Sequence, residues 1–337
     1  MKITTRDIAR EAGVSQATVS IVLNNNTKIS ISPETRANVL KTAERMGYQL
    51  KKRRKTTKQT IVGLLVPTLT NLYYPFLVQN VEAFAQTMGL TVVLQNTMRS
   101  EEREMQSFDY LRNIGAQCVL SLMTPKVPIP EDIPTVIVGE RHPGVDVDTV
   151  CLNSYAAGRL AAEHLVSLGH KKIMFISTPF LNMTDARLRR MEGARSYMEE
   201  MGLADGFHVL AAEEEKELLE NTYEFDCGYQ LTQEMLQAGT DCTAIIAVND
   251  MTAMGCVAAL NERKVRIPED MAICGFDNLM MNRIMQPPLT SIDQMAFRGC
   301  KVGLSMLLEK LNRLVEEEPI FMECSPRLYV RGSTVKE

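Results

Sequence analysis

Apolar residues recur at helical spacing in three short stretches of the first 48 residues. In the first stretch, Thr4 and Asp7 form a capping-box-like start, and Gly13 supplies the residue type that most easily ends a helix. Ser15 is placed to cap the second stretch, QATVSIVLN, and residues 32–34 (SPE) open the third with a serine cap, a proline and an acid. Two short helices joined by a tight glycine turn, with a third to close the core, predict a helix-turn-helix head.

From residue 61 onward the pattern changes to short β-rich apolar runs that alternate with amphipathic helices. The runs IVGLLV, TVVLQN, CVLSLM and PTVIVG form a first series, and KIMFIS, HVLAA, TAIIAV and MAICGF form a second. Such alternation predicts parallel sheets with helical crossovers. Two copies of one architecture predict two lobes with a cleft between them, and we expect a ligand beyond the carboxyl ends of the strands.

The end of the chain is predicted to return to both lobes. PPLTSI leads into a long predicted helix over residues 294–315, and two late strands are predicted around Ile320 and Leu328. Several crossings between the lobes would form a hinge for closure. We therefore divide the chain into a head of residues 1–48, a basic linker of 49–60 and a body of 61–337, with lobe 1 at about 61–157 plus 292–320 and lobe 2 at about 158–291 plus 321–334.

The net charge of −4 hides an uneven distribution. Residues 1–60 hold thirteen Lys and Arg against four acids, a net charge of +9, and the remaining 277 residues carry −13. A solvated charged face is the simpler explanation, but the concentration of positive charge in so few residues favours a head that meets a polyanion.

Composition limits the kind of chemistry that the body can perform. The eight cysteines form no Cys-x-x-Cys pair and mostly have apolar neighbours, which predicts reduced core thiols and no zinc site. The four histidines lack the spacing of metal ligands. No Gly-x-Gly-x-x-Gly, P-loop or Gly-x-Ser-x-Gly motif is present, so we expect no metal, no cofactor and no enzymatic activity.

The N-terminal segment MKITTRDIAREAG is charged and contains no apolar stretch. A secretory signal would require such a stretch, and a membrane span would require a much longer one. We therefore expect a cytoplasmic protein that is not inserted in a membrane.

In a helix-turn-helix head, the start of the second helix enters the major groove. The outward positions there are Gln16, Ala17, Ser20 and Ile21. A glutamine can make a bidentate bond to adenine, and small apolar side chains can touch a thymine methyl. Side chains that suit phosphate contacts are Thr5, Ser15, Thr18, Asn24 and Asn25. A three-helix protein-binding module is the alternative, which the charge asymmetry disfavours.

The stretches RDIAREAGVSQATVSIVLN and ISPETRANVLKTAERMGY resemble the head of the lac repressor and gal repressor family of bacterial regulators. The resemblance implies a homodimeric repressor that places two heads on a near-palindromic operator in double-stranded DNA. Members of that family usually carry an Ala-x-x-Leu hinge helix next, whereas this chain reads QLKKRRKTTKQT. Adjacent cations repel one another and disfavour an isolated helix. We therefore expect a basic segment that becomes ordered only on DNA, along phosphates or in the minor groove. The segment consists of Lys51, Lys52, Arg53, Arg54 and Lys55.

The body also resembles that family, and through it the periplasmic sugar-binding proteins. The stretches that carry the resemblance include GRLAAEHLVSLGHKKI, RRMEGARSYM, AVNDMTAMG, ICGFDN and PPLTSIDQMAFRGCKVGLSMLLEKL, so it extends over essentially the whole chain. It implies an α/β two-lobed, periplasmic-binding-protein-like effector domain with parallel sheets behind the all-α head. The ligand-facing positions that it implies are Tyr73, Tyr74, Arg190, Tyr223, Asn249, Asp277 and Gln294. An acid often found at the end of the fourth strand is Gly139 here, with Glu140 beside it.

These residue types suit a sugar or sugar-like polyol, because carboxylate, guanidinium and amide groups bind paired hydroxyls and a tyrosine offers a face for stacking. A purine or nucleoside remains open. Tyr73 and Tyr74 could be ordinary packing, and Arg190 could pair with Glu163 instead of a ligand. For the whole protein, the alternatives to a ligand-responsive repressor are a regulator controlled by a partner protein, a sugar-binding protein without a regulatory role, and an enzyme that has adopted the fold.

Overall fold

The computed structural model describes residues 4–23, 31–46, 48, 60–142, 144–180, 185–213, 222–312 and 318–335. The chain divides into two compact units, Met1–Lys58 and Gln59–Glu337, here called the head and the body. None of the helices in the described ranges combines the length and apolar character that a bilayer-spanning segment needs.

The head consists of α1 (Thr5–Ala12), α2 (Gln16–Leu23) and α3 (Pro33–Arg45), as the sequence predicted. Thr4 and Asp7 form a full capping box, and Gly13 ends α1 with a φ of 66° that a side chain would strain. The head core is apolar and contains residues from all three helices: Ile8, Ala9, Ala12, Val19, Val22, Val39 and Ala43.

The first lobe contains a six-stranded sheet that is parallel throughout, in the order β11-β5-β4-β3-β1-β2. Its strands are β1 (Ile61–Val66), β2 (Thr91–Asn96), β3 (Cys118–Ser121), β4 (Thr135–Gly139), β5 (Thr149–Leu152) and β11 (Phe321–Cys324). Its helices are α4 (Tyr73–Thr87), α5 (Glu101–Asn113) and α10 (Ala296–Asn312). One core lies between the sheet and α4 and α10, where Val81 and Leu304 pack against strand residues such as Leu64 and Leu120. A second apolar cluster includes Leu65 of β1 and Leu111 of α5.

The second lobe repeats this order as β12-β10-β9-β8-β6-β7, with β12 alone antiparallel to its neighbour in the sheet. Its strands are β6 (Ile173–Ser177), β7 (Phe207–Ala211), β8 (Ala244–Ala247), β9 (Ala272–Phe276), β10 (Thr290–Asp293) and β12 (Arg327–Tyr329). Its helices are α6 (Ser154–Ser167), α7 (Asp185–Glu200), α8 (Tyr223–Ala238) and α9 (Asp250–Glu262), with short 3₁₀ helices at Ala204–Gly206 and Met280–Arg283. The predicted fold of two lobes with parallel sheets is therefore confirmed.

The exact division between the lobes differs from the sequence prediction. β10 belongs to the second sheet up to Asp293, although residues from 292 onward were placed with lobe 1. β11 pairs with β5 of the first sheet, although residues 321–334 were placed with lobe 2. The strand β5 was not predicted from the sequence. Both β5 and β11 are four-residue strands, and so short a strand carries too little periodicity to reveal its partner.

The chain therefore crosses between the lobes three times, before α6, before α10 and between β11 and β12. Side chains tie these crossings together. Gln294 Nε2 donates to Ser154 Oγ at 2.8 Å, and Asn153 Nδ2 donates to Glu323 Oε1 at 2.8 Å. Three short connections bonded to one another have the form of a hinge between the lobes.

Candidate ligand-binding cleft and DNA-binding surface

A cavity of about 160 Å³ lies in the cleft, where the carboxyl ends of the first sheet's strands face α7 of the second lobe. A cavity of about 150 Å³ is large enough for one benzene-sized ring. The space therefore suits a ligand with a single ring. Its wall is formed by Tyr73, Tyr74, Leu77, Leu122, Met123, Thr124, Lys126, Val138, Gly139, Glu140, His142, Leu152, Ser154, Ala186, Arg190, Gln294 and Ala296.

Tyr73 and Tyr74 begin α4 and stand at the cavity wall. Their ring centroids are 5.2 Å apart and their planes meet at 74°, an edge-to-face arrangement that fixes both rings. Burial raises the pKa of the Tyr73 phenol well above its usual value, and the nearby carboxylate of Asp277 raises it further. Tyr73 is therefore a neutral hydroxyl at neutral pH. Both tyrosines line the cavity and also pack against the core of the first lobe.

Arg190 extends from α7 to the cavity wall and is almost fully buried. Its Nη1 donates to the Val248 carbonyl at 2.5 Å, and its Nη2 donates to Gln294 Oε1 and, at 3.4 Å, to Asp277 Oδ1. The guanidinium also lies over the ring of Phe276, 4.8 Å from its centroid. Its Nε is buried and has no hydrogen-bond acceptor among the described residues. A ligand oxygen could supply that acceptor.

The approach of α6 to α7 positions Arg190. A Cβ on Gly158 would lie 1.9 Å from the carbonyl oxygen of Arg190, and one on Gly193 would lie 2.0 Å from that of Tyr155. Because no real Cβ makes such contacts, the two helices can cross this closely only with glycine at both positions. The crossing brings the backbone of Arg190 against α6.

Asp277 follows β9 and has a φ of 103°, a conformation that costs a non-glycine residue about 1–3 kcal/mol. Backbone strain of this kind persists only where the surroundings enforce it, and it is common at binding sites. Burial raises the pKa of the Asp277 carboxyl, whereas the charge of Arg190 acts to lower it. Asp277 stands behind Arg190 and is not among the described residues that line the cavity.

Asp250 supports the segment that follows Asp277. Its carboxylate is fully buried and accepts hydrogen bonds from Leu279 N at 2.9 Å, from Asn282 Nδ2 at 2.7 Å and from Ser291 Oγ at 2.8 Å. Burial raises the pKa of Asp250 to about 7. Asp250 was not predicted from the sequence, although an acid directly after the strand end at Asn249 was a usable signal.

Besides Asp277, two further predicted ligand positions, Asn249 and Tyr223, do not line the cavity. Asn249 is the N-cap of α9, since its Oδ1 accepts from Thr252 N at 2.9 Å while its Nδ2 donates to Glu224 Oε1 at 2.9 Å. Tyr223 is buried at the start of α8. The structure therefore places four of the seven predicted residues at the cavity, Tyr73, Tyr74, Arg190 and Gln294, and one directly behind it, Asp277.

Gly139 stands where the resemblance places an acid, and Glu140, one residue later, supplies that acid. The Glu140 side chain lines the cavity, and its Oε1 accepts from Ser154 N at 3.2 Å at the start of α6. Burial raises the pKa of Glu140, and the hydrogen bond from Ser154 acts in the opposite direction. A carboxyl group on the lobe-1 side of the cavity is able to bind ligand hydroxyls.

A second polar group lies between the lobes and was not predicted. Glu224 of α8 accepts hydrogen bonds from Asn71, Arg187 and Asn249. Asn71 belongs to the first lobe and the other three residues to the second. Sequence spacing could not reveal this group, because its members come from separate segments of both lobes.

In the head, Ser15 and Gln16 are exposed at the start of α2. Ser15 Oγ accepts from Thr18 N at 3.0 Å, so this side chain is the cap of α2. Gln16 Nε2 donates to Thr5 Oγ1 at 3.2 Å, and this bond links α2 to the start of α1. Ile21 is half-buried. The side chains of Thr5, Ser15 and Gln16 form one polar edge of the head.

The other predicted DNA contacts lie where the structure gives no side-chain description. Asn24, Asn25 and the basic segment Lys51, Lys52, Arg53, Arg54 and Lys55 are outside the described residues, as are the side chains of Ala17 and Ser20.

The cysteines are all free thiols, six of them buried and two half-buried, as predicted for core residues. Among the described residues, His208, Asp241 and Cys242 bring three potential metal-binding atoms within 4.8 Å of one another. Asp241 is already paired with Lys172. None of these residues lines the cavity.

Two parts of the chain match known protein families. Residues 4–50 match the bacterial regulatory proteins of the lacI family, and residues 162–334 match the periplasmic binding protein-like domain. The first match covers the head, and the second covers about half of the chain.

Relatives over the full length are regulators by name. The catabolite control protein A of Priestia megaterium is 27% identical over 348 residues, 99% of this chain and 100% of that protein. The HTH-type transcriptional repressor PurR of Haemophilus influenzae is 29% identical over 342 residues, 98% of each chain. Among solved structures, a LacI family transcriptional regulator from Enterococcus faecium with bound ribose matches with a TM-score of 0.70 and 25% identity, over 82% of this chain and 100% of that one.

Proposed function

The chain belongs to the family of bacterial regulators that join a lacI-type head to a periplasmic binding protein-like body, and we propose that it is a ligand-responsive repressor. It binds a near-palindromic operator as a homodimer and acts in the cytoplasm on double-stranded DNA. A small effector, a sugar or sugar-like polyol, binds between the lobes of the body.

The observation that carries this proposal is the cavity between the lobes. Residues of both lobes contribute to its wall, with Glu140 on one side and Arg190 on the other. A ligand that contacts both sides stabilises one degree of lobe closure over others, and a difference in affinity between two closure states is what allosteric control requires. The ribose-bound relative and the single-ring size of the cavity support a monosaccharide-sized effector.

Dimer formation is supported by apolar side chains at the surface of the second lobe. Met280 and Ile284 are 69% and 68% exposed, on and directly after the 3₁₀ helix Met280–Arg283, and Met281 beside them is also exposed. A second copy of the chain would remove this surface from water. Replacement of Ile284 by Glu should give monomers in sedimentation experiments, and an unchanged dimer would exclude this surface.

The ligand part is tested by a thermal-shift screen against sugars, sugar phosphates and nucleobases. A ligand that binds only the folded protein raises its unfolding temperature. We expect the shift to disappear in Asp277→Asn and to persist in Asp148→Asn, which alters a buried acid bonded to Lys310. If no compound shifts the wild type, a partner protein becomes the better candidate for the effector.

The DNA part is tested by selection of operator sequences with the purified protein, followed by titration. Gln16→Ala should weaken binding to the selected operator about 5–150-fold, because a bidentate contact to a base is worth about 1–3 kcal/mol. Glu44→Ala, an exposed change on α3, serves as the control. If Gln16→Ala binds selected and random DNA equally well, the result supports Gln16 as a residue that reads a base. If the variant prefers the selected operator over random DNA as strongly as the wild type does, Gln16 does not read a base.

A further inference from the structure

Three buried polar side chains meet around the single carboxylate of Glu224, between the lobes. Asn71 Nδ2 donates to Glu224 Oε2 at 2.5 Å. Asn249 Nδ2 and Arg187 Nη2 donate to Oε1 of the same residue at 2.9 Å and 3.1 Å. Every one of the four residues is more than 90% buried. This set is called the Glu224 cluster below.

The Glu224 cluster is a direct bond between the lobes. Asn71 precedes α4 of the first lobe, and its Oδ1 also accepts from Tyr73 N at 2.8 Å, which ties the cluster to the cavity wall. Glu224, Arg187 and Asn249 belong to the second lobe. When the lobes separate, the bond from Asn71 to the carboxylate must break.

The donors of the cluster are those that recognise a carboxylate. Two amide N–H groups and a guanidinium converge on one pair of oxygens, and hydrogen bonds to an ionised acceptor are about twice as strong as neutral ones. The protein therefore contains a complete binding site for a carboxylate, and its own Glu224 occupies that site. Arg187 is on the same helix as Arg190, one turn away, so this site adjoins the cavity.

We propose that Glu224 is an internal ligand that sets the specificity of the cleft. Its carboxylate holds the lobes together before an effector binds and excludes effectors that carry a carboxylate or phosphate, because their charge would compete for the same donors beside an existing negative charge. The effector is therefore a neutral molecule confined to the Tyr73–Gln294 side of the cleft. This inference rests on the proposed function for its effector, but the bond between the lobes does not.

The first test is chemical rescue of Glu224→Ala by acetate, which needs no knowledge of the effector. Removal of the side chain leaves the donor set with space for a small carboxylate. Sodium acetate should raise the unfolding temperature of this variant in a saturable manner, beyond the effect of sodium chloride at equal ionic strength. The wild type should show no such difference.

Arg187→Met combined with Glu224→Ala is the matched control, since it removes the guanidinium that the acetate requires. The proposal is overturned if acetate rescues the double variant as well as it rescues the single variant. It is also overturned if acetate does not rescue the single variant. Glu224→Gln, which keeps the shape but not the charge, covers the case in which the alanine variant does not fold. Hydrogen exchange at residues 68–72 should be at least about 10-fold faster in that variant than in the wild type, and unchanged exchange would equally overturn the bond between the lobes.

The second test concerns specificity and uses the pairs glucose with glucuronate and ribose with ribose 5-phosphate. We expect Glu224→Ala to bind the anionic member of a pair at least about 10-fold better, relative to the neutral member, than the wild type does. An unchanged ratio contradicts the role in specificity. If the wild type binds no sugar while acetate still rescues Glu224→Ala, the proposed sugar effector fails and the internal ligand stands.

Discussion

The guanidinium of Arg190 lies 3.4 Å from the carboxylate of Asp277, and neither side chain is more than 10% exposed. The pair connects α7 to the strained turn that follows β9. Each charge is stabilised by the other at a position that water does not reach. A ligand that binds to Arg190 would therefore enter a site whose charges are already balanced and oriented, which reduces the cost of binding.

Removal of one member of this pair should be costly. Arg190→Ala leaves the Asp277 carboxylate buried without its cation, so we expect the free energy of unfolding to fall by about 3–5 kcal/mol. The loss in Arg190→Ala with Asp277→Ala should be smaller than the sum of the two single losses. Urea denaturation measures all three. The control is Arg159→Ala, which breaks a partly exposed ion pair with Glu200 and should cost at most about 1 kcal/mol.

The close crossing of α6 and α7 should tolerate no side chain. In Gly158→Ala the new Cβ meets the carbonyl of Arg190, so the helices must separate. We expect a loss of stability of about 1–3 kcal/mol or more, together with weaker ligand binding because Arg190 moves with its helix. Thermal unfolding with and without ligand measures both effects. Ser167→Ala, an exposed change on α6, should alter neither, and full ligand binding in Gly158→Ala would contradict the link to Arg190.

The pH dependence of stability should carry a signature of Asp250. Burial raises its pKa in the folded protein to about 7, from 3.8 in an unperturbed carboxyl, so between these values the folded state holds a proton that the unfolded state has released. The contribution of this group is complete below about pH 4, and stability decreases by up to about 1.4 kcal/mol per pH unit as the pH rises towards 7.

Asp250→Asn should therefore flatten the curve of unfolding free energy between about pH 4.5 and 7, as measured by urea titration. Asp270→Asn is the control, because its hydrogen bonds to Arg266 lower the pKa of Asp270 to about 2 and place its titration below that window. If the slope of Asp250→Asn equals that of the wild type, the raised pKa is not the cause of the decrease.

The basic segment should determine how strongly DNA binding depends on salt. Neutral residues in place of Lys51–Lys55 should reduce the slope of log K against log[salt] by about 0.9 for each phosphate that the segment no longer neutralises. Anisotropy titrations with operator DNA over a range of salt concentrations give the slope. A slope equal to that of the wild type would show that these cations do not bind phosphates.

The sequence alone was sufficient for features that neighbouring residues specify. The caps at Thr4 and Ser32 and the apolar spacing around Ile8 and Val39 predicted the head, because a helix depends on contacts within a few residues. The β-rich runs predicted most strands of both sheets in the same way. The resemblance to a known family then identified Arg190 and Gln294, which do line the cavity.

Only the tertiary structure decided which polar groups meet. Arg190 and Asp277 are 87 residues apart, and Asn71 and Glu224 are 153 residues apart. No local period encodes such a pair, since the partner depends on how two lobes built from separate segments come together. The same reason explains why Asn249, a predicted ligand residue, proved to donate to Glu224, and why β11 joined the first sheet. A short-range pattern shows where a strand or a helix end lies, whereas the packing of distant segments decides what that end faces.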